Sequence, residues 1–315
     1  MSIRKYKALF QTYNFFKRGR LKHNLPLYKK YGLKKKYFSS VSSEDFRGLK
    51  SPLNIYDSKD SAQELPNNKD FQLLDQKDQT ALLSWSANGY AILEGFFTPE
   101  EIDACNQEVE KLLAEKKIQF RYGNKIMFAF HQSRLLEGMG RNKKLVKILN
   151  MLMGKEVSLF QSINFIEGSQ QRTHSDSIHM TTFPFGNLVA VWIALEDLTP
   201  ECGPLHYYPG SHKLPYVMNR DYDNVGSKFK LGKKDYSDYE DHIEKVIAEN
   251  DLEKQVFVAK KGDLLIWHAN LLHGGEKVTA ENSTRKSMVF HYYCGDSICF
   301  HEITQRPTLK RAPRV

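Results

Sequence analysis

At 315 residues and 41% hydrophobic content the chain is long enough for one sizeable core, and length alone permits one or two domains. Its net charge of +9 is unevenly placed: residues 1–50 carry 14 Lys and Arg against Glu44 and Asp45, a balance of +12, while the other 265 residues carry 32 against 35, a balance of −3. The near-neutral body argues against a folded nucleic-acid-binding domain, four cysteines without a CxxC pair argue for a reducing compartment, and no apolar run approaches the roughly 20 residues that span a bilayer.

The first apolar pattern lies at residues 3–16, where Ile3, Tyr6, Leu9, Phe10, Tyr13 and Phe16 recur at helical spacing between basic residues. A helix of this kind either lies on an anionic membrane surface or docks on the body. A mitochondrial transit peptide ranks behind both, because the segment is rich in Lys and its Ser residues come mainly after Phe38. With no signal-peptide core near Met1, the expected location is cytoplasmic, with peripheral membrane contact through residues 1–36 as the open alternative.

Residues 38–70 are polar and aperiodic and read as a linker or an extended wrap, so residues 1–70 are expected to be a basic arm and linker, with the folded body over 71–315. A helix is predicted over 73–88 and a short strand over 89–93. Thr98-Pro99-Glu100-Glu101 combines a capping threonine, a first-turn proline and a glutamate three residues after the cap, which predicts a helix start. Another helix is predicted over 143–153, ended by Gly154.

Beyond this point short apolar runs over 157–166, 188–195, 203–208, 255–259, 264–267 and 285–293 alternate with Gly, Pro and Asp turn signals. This predicts a mainly β sandwich or jelly roll with flanking helices. A polar insertion at about 218–251, with a helix over 238–249, reads as a lid or a surface excursion.

In the β region, Gln171-Arg172-Thr173-His174-Ser175-Asp176 carries two metal donors at i and i+2, which in a strand leave the same face. Two donors do not hold a metal, and His273 supplies the third: it follows the apolar run at 264–267 and opens His-Gly-Gly, where the glycines allow close backbone approach. Two histidines and one carboxylate leave three positions of an octahedron open, the arrangement of non-haem Fe(II) oxygenases. His179, His206, His268 and His291 read as core or as surroundings of the site, and His212 as part of a turn.

The ordered motifs Gly168 to Asp176, Val191-Trp192-Ile193-Ala194-Leu195-Glu196-Asp197, Cys202-Gly203-Pro204-Leu205, Pro209-Gly210-Ser211-His212-Lys213, Gly262-Asp263, His273 and Arg285 resemble the phytanoyl-CoA dioxygenase family over roughly residues 71–293. The resemblance implies a cupin-like double-stranded β-helix, Fe(II), 2-oxoglutarate and O2. It further implies hydroxylation of an unactivated C–H in a small, carrier-linked or lipid-linked molecule, giving succinate and CO2. By position it makes His174, Asp176 and His273 the iron ligands and Arg285 the partner of the far carboxylate of 2-oxoglutarate, a role suited to a bidentate guanidinium. Ser287 is placed to assist Arg285, Trp192 to wall the pocket and Asn164 to meet the carboxylate nearer the iron, although Ser287 and Trp192 also read as ordinary strand and core residues. Retention of Asp176 argues against halogenation, since related halogenases resemble this pattern with a small residue there. The alternative reading is a catalytically silent jelly roll that binds a ligand or metal.

Overall fold

Strand formation follows the apolar runs. In chain order the strands are β1 (Tyr90–Leu93), β2 (Phe120–Arg121), β3 (Lys125–Met127), β4 (Val157–Phe165), β5 (Thr181–Phe183), β6 (Leu188–Ala194), β7 (Leu205–Tyr207), β8 (Gln255–Phe257), β9 (Leu264–His268), β10 (His273–Gly275), β11 (Ser287–Cys294), β12 (Ile298–His301) and β13 (Arg306–Pro307). This computed structural model describes residues 5–309, so the start of the helix expected from Ile3 lies outside the described residues. The principal antiparallel sheet has the order β1-β9-β6-β11-β4-β3-β2, and two three-stranded sheets have the orders β10-β7-β8 and β13-β12-β5.

Every residue of β6 is buried, as happens when both faces of a sheet are covered. Val189, Val191 and Ile193 point to the helical layer, where they join Met288 and Phe290 of β11. Ala190, Trp192 and Ala194 point the other way, onto Leu205, Tyr207 and Phe257 of the smaller sheet. The result is a double-stranded β-helix whose inner face alternates small and large side chains.

The helices used below are α1 (Lys7–Phe16), α2 (Gln76–Leu83), α3 (Pro99–Ala114), α4 (Lys143–Met153) and α5 (Tyr236–Glu249). The predicted capping box of α3 is formed: Glu101 N donates to Thr98 Oγ1 at 3.3 Å, and Thr98 N to Glu101 Oε2 at 2.9 Å. In α4, Leu145, Ile148, Leu149 and Leu152 make one stripe against the sheet, and Gly154 ends the helix at φ 61°. The helix expected over 73–88 is divided, with α2 followed by a separate turn at Trp85–Asn88.

Two expectations differ in detail. No break in packing falls near residue 70: Tyr56 and Leu65 belong to the same core as α3 and α4, and Val41 and Phe46 pack with Phe183 and Phe300. Isolated apolar anchors in short helical turns carry no periodicity, which is why the wrap reads as a linker. His174 and Asp176, moreover, do not share a regular strand. His174 makes one antiparallel bridge to His273, and Asp176 opens a 3-10 turn at Asp176–Ile178.

Candidate active site

His174, Asp176 and His273 converge, all buried, with one donor atom from each lying within 4.8 Å of the others. Tertiary pairing accomplishes this: His174 N donates to His273 O and His273 N to His174 O, both at 2.9 Å. The close approach requires the two glycines after His273. A Cβ on Gly274 would stand 2.7 Å from Gln171 O, and one on Gly275 would stand 2.5 Å from Ser169 Oγ.

The back of each donor group is already occupied. His174 Nδ1 bonds Arg172 O and His273 Nδ1 bonds Leu271 O, each at 2.9 Å, which makes Nδ1 the protonated nitrogen and leaves the Nε2 lone pair facing inward. Asp176 Oδ2 accepts from Trp267 Nε1 at 2.8 Å and faces His291 Nε2 at 3.4 Å, while Oδ1 lies 3.9 Å from His273 Nε2. Burial holds His174 down to about 3 and lowers His273, so both rings are neutral donors. Burial would raise the Asp176 carboxyl, but His291 beside Oδ2 outweighs it and holds the group well below the usual carboxylate range. Two neutral imidazoles and one ionised carboxylate suit a divalent first-row ion.

Strand register orders the rest of the inner face. At one end, Ser287 of β11 stands opposite Ala194 and Phe165; in the middle Val289 stands opposite Trp192 and Ile163; at the far end His291 stands opposite Ala190 and Gln161. Successive rungs lie about 7 Å apart. Arg285, 2% exposed, enters at the first rung, where its Nη1 donates to Ser287 Oγ at 3.2 Å and its guanidinium lies 5.3 Å from the Phe165 ring and 5.9 Å from the Trp192 ring. Among the described residues no carboxylate pairs with it. Arg285 Nε and Trp192 Nε1 are buried without partners, and burial lowers the guanidinium to about 10. A buried cation with an unmet N–H is costly until an anion joins it, and a dicarboxylate fits that need.

Asn164 is a correction. Its register partners are Met288 and Ile126, whose side chains lie in the core under the helices, so it stands on the face of β4 away from Trp192 and Val289. Gln161 is the amide on the inner face, opposite His291, with its Oε1 unpartnered. Sequence reasoning missed it because alternation in β4 identifies two faces without saying which is inside. His291 was read as core or surroundings of the site, but that it and Trp267 stand together behind Asp176 was not legible, for they are 115 and 91 residues away.

The open side of the triad is polar. Gln171 Nε2 is 3.2 Å from His174 Nε2 and donates to Tyr236 Oη at 3.2 Å, while Lys125 Nζ donates to Gln171 Oε1 at 2.9 Å. The insertion expected as a lid is clamped here: Ser175 N donates to Tyr239 Oη of α5 at 3.1 Å, and Arg172 pairs with Asp241 and Glu244. His179 lies against Tyr236, with ring centres 4.6 Å apart.

A double-stranded β-helix bearing two imidazoles and a carboxylate on one inner face, with a buried arginine two rungs away, defines the class of iron(II)- and 2-oxoglutarate-dependent oxygenases. Within that class the chain belongs to the family described as Phytanoyl-CoA dioxygenase (PhyH), which matches residues 85–287, and it is accordingly a dioxygenase. It is 27% identical over 212 residues to the ectoine dioxygenase of Nocardia farcinica, covering 61% of this chain and 70% of that one. It is 23% identical over 261 residues to the phytanoyl-CoA dioxygenase domain-containing protein 1 of Danio rerio, covering 64% and 85%. Among solved structures, the non-haem α-ketoglutarate-dependent carbocyclase SnoK shares the fold with a TM-score of 0.58 at 16% identity, over 72% of this chain and 87% of that chain. EctD from S. alaskensis with 2-oxoglutarate and 5-hydroxyectoine does so with a TM-score of 0.52 at 19% identity, over 70% and 76%.

Proposed function

We propose that this protein hydroxylates an unactivated C–H of a small, carrier-linked or lipid-linked molecule, with His174, Asp176 and His273 holding iron(II) and Arg285 and Ser287 binding the far carboxylate of 2-oxoglutarate. When bound, the metal and co-substrate supply the oxidising chemistry, with O2 consumed and succinate and CO2 formed. The chain's own residues position and shield. Trp267 and His291 hold Asp176 by Oδ2, leaving Oδ1 toward His273 to join the other two ligands in holding a metal; Trp192 would close the pocket against water on the Arg285 side, and Gln161 would offer an amide at the triad end. Gln171, Tyr236 and Lys125 border the open side, where a substrate meets N–H and O–H donors.

The observation that carries this reading is the rung order: a back-bonded triad of two neutral imidazoles and one carboxylate at one end, a buried guanidinium with no carboxylate among the described residues at the other, and an indole between them. Anaerobic addition of iron(II) followed by 2-oxoglutarate is expected to produce a visible absorption band that neither gives alone. Folded protein that shows no band overturns the proposal. Succinate formed without added substrate, and lost in His174→Ala, separates a working oxygenase from a silent binding protein.

A further inference from the structure

The N-terminal helix is mounted with its polar side inward. An amphipathic helix docked on a globular body ordinarily buries its apolar stripe. In α1 the side facing the body carries Asn14, buried, whose Nδ2 donates to Phe38 O at 3.2 Å, together with the half-buried Lys7 and Gln11. Tyr6, Leu9, Tyr13 and Phe16 lie on the outer side at spacings of three and four, with Leu9 48% and Phe16 77% exposed. Arg306 lies over the Phe10 and Tyr13 rings at 4.9 and 5.6 Å and Lys230 Nζ over Tyr6 at 5.0 Å, so body contacts give parts of the stripe a cationic edge while Leu9 and Phe16 stay open.

A second element continues that surface. Lys7 N donates to Phe229 O at 3.0 Å and Leu231 N to Lys5 O at 2.9 Å, which sets the loop around Phe229 beside the start of α1, and Phe229 is 71% exposed. Lys17, Arg18 and Lys228 are exposed beside these residues, with the Arg18 guanidinium 4.2 Å from the Phe15 centroid and Lys228 Nζ 5.8 Å from that of Phe229. A groove on another protein requires the apolar stripe but not the cations. An anionic bilayer requires both, because rings and aliphatic groups enter the headgroup boundary while Lys and Arg meet the lipid charge.

We propose that the outer stripe of α1 and Phe229 seat this protein on the surface of an anionic lipid bilayer. The surface is tied to the active site by one short segment: Lys5 Nζ donates to Gly232 O at 3.1 Å and Lys233 O at 2.6 Å, three residues before Tyr236, whose hydroxyl bonds Gln171 beside the triad.

Co-sedimentation of the full chain with phosphatidylserine-containing vesicles and with pure phosphatidylcholine vesicles tests it. Binding is expected to the anionic vesicles only and to weaken as salt screens the charges. Phe16→Glu combined with Phe229→Glu is expected to lower affinity at least about tenfold, by the apolar burial removed, without changing the melting temperature, because both side chains are exposed. Lys17→Glu with Arg18→Glu is expected to reduce the preference for anionic lipid at least about tenfold while leaving the stripe intact. Absence of binding to anionic vesicles, or binding that both double variants retain, overturns the proposal. So does a concentration-dependent dimer lost in Phe16→Glu/Phe229→Glu without vesicle binding, since the stripe would then join two copies of the chain.

Discussion

The two ends of the inner face are built on opposite principles. At the proposed metal end the rear atom of every donor is hydrogen-bonded, so the inward atoms converge on one spot, with the Gln171 amide 3.2 Å from His174 Nε2. At the arginine end Arg285 Nε and Trp192 Nε1 are buried and left without partners. One end is pre-satisfied so that its ligands cannot turn away; the other stores unmet N–H groups that favour an incoming anion. A metal requires fixed directions, whereas a carboxylate co-substrate requires donors that nothing else has taken.

Removing a front donor should have the largest effect. Asp176→Ala is expected to abolish iron-dependent succinate formation and to leave Trp267 Nε1 and His291 Nε2 without their carboxylate; retained turnover in iron-loaded variant would dissolve the metal end as drawn. Next comes Arg285→Met, which should weaken 2-oxoglutarate binding by roughly 2–5 kcal/mol, at least about thirtyfold in Kd. Iron affinity should persist, and the melting temperature without co-substrate should hold or rise, because an unpaired buried cation has been replaced by an apolar chain. Calorimetry showing a large loss of stability would mean that the guanidinium is satisfied within the fold, and the contrast between the ends would fail.

Trp267→Phe tests the rear support alone. It keeps an aromatic ring and deletes the 2.8 Å bond to Asp176 Oδ2, so competition with a chelator should show iron affinity reduced about 10- to 100-fold. Unchanged affinity would show that the carboxylate needs no help. The smallest effect is expected for Asn164→Leu, within about twofold on the Kd of 2-oxoglutarate, because both amide atoms are removed from an apolar layer outside the pocket. Gln161→Leu, one pleat away on the inner face, should weaken that binding more. The reverse ranking would return Asn164 to the pocket.

Much of this molecule is legible locally. The α3 capping box, the Gly154 stop and the runs that became β6, β9 and β11 each depend on residues a few positions apart, whose propensities act before any tertiary contact. Over 38–70 the sequence left a linker and a wrap equally open, because Tyr56 and Leu65 are single anchors whose partners lie in α3 and α4, far along the chain. The orientation of α1 was not legible either. Its stripe is plain in the sequence, but its burial depends on what the body offers, and the body offers Phe38 O and the chain around Phe229 to polar atoms.

The sequence by itself determined the chemistry of the donors, their order along the chain and the class of fold, since residue type, spacing and period are local properties. Tertiary structure alone decided that Asp176 meets the site from a 3-10 turn, that Asn164 faces away while Gln161 faces in, and that α1 leaves Leu9 and Phe16 in solvent. The physical reason is that a strand's inner face is defined by register with distant strands, and a buried polar atom by partners that only folding brings within hydrogen-bond reach.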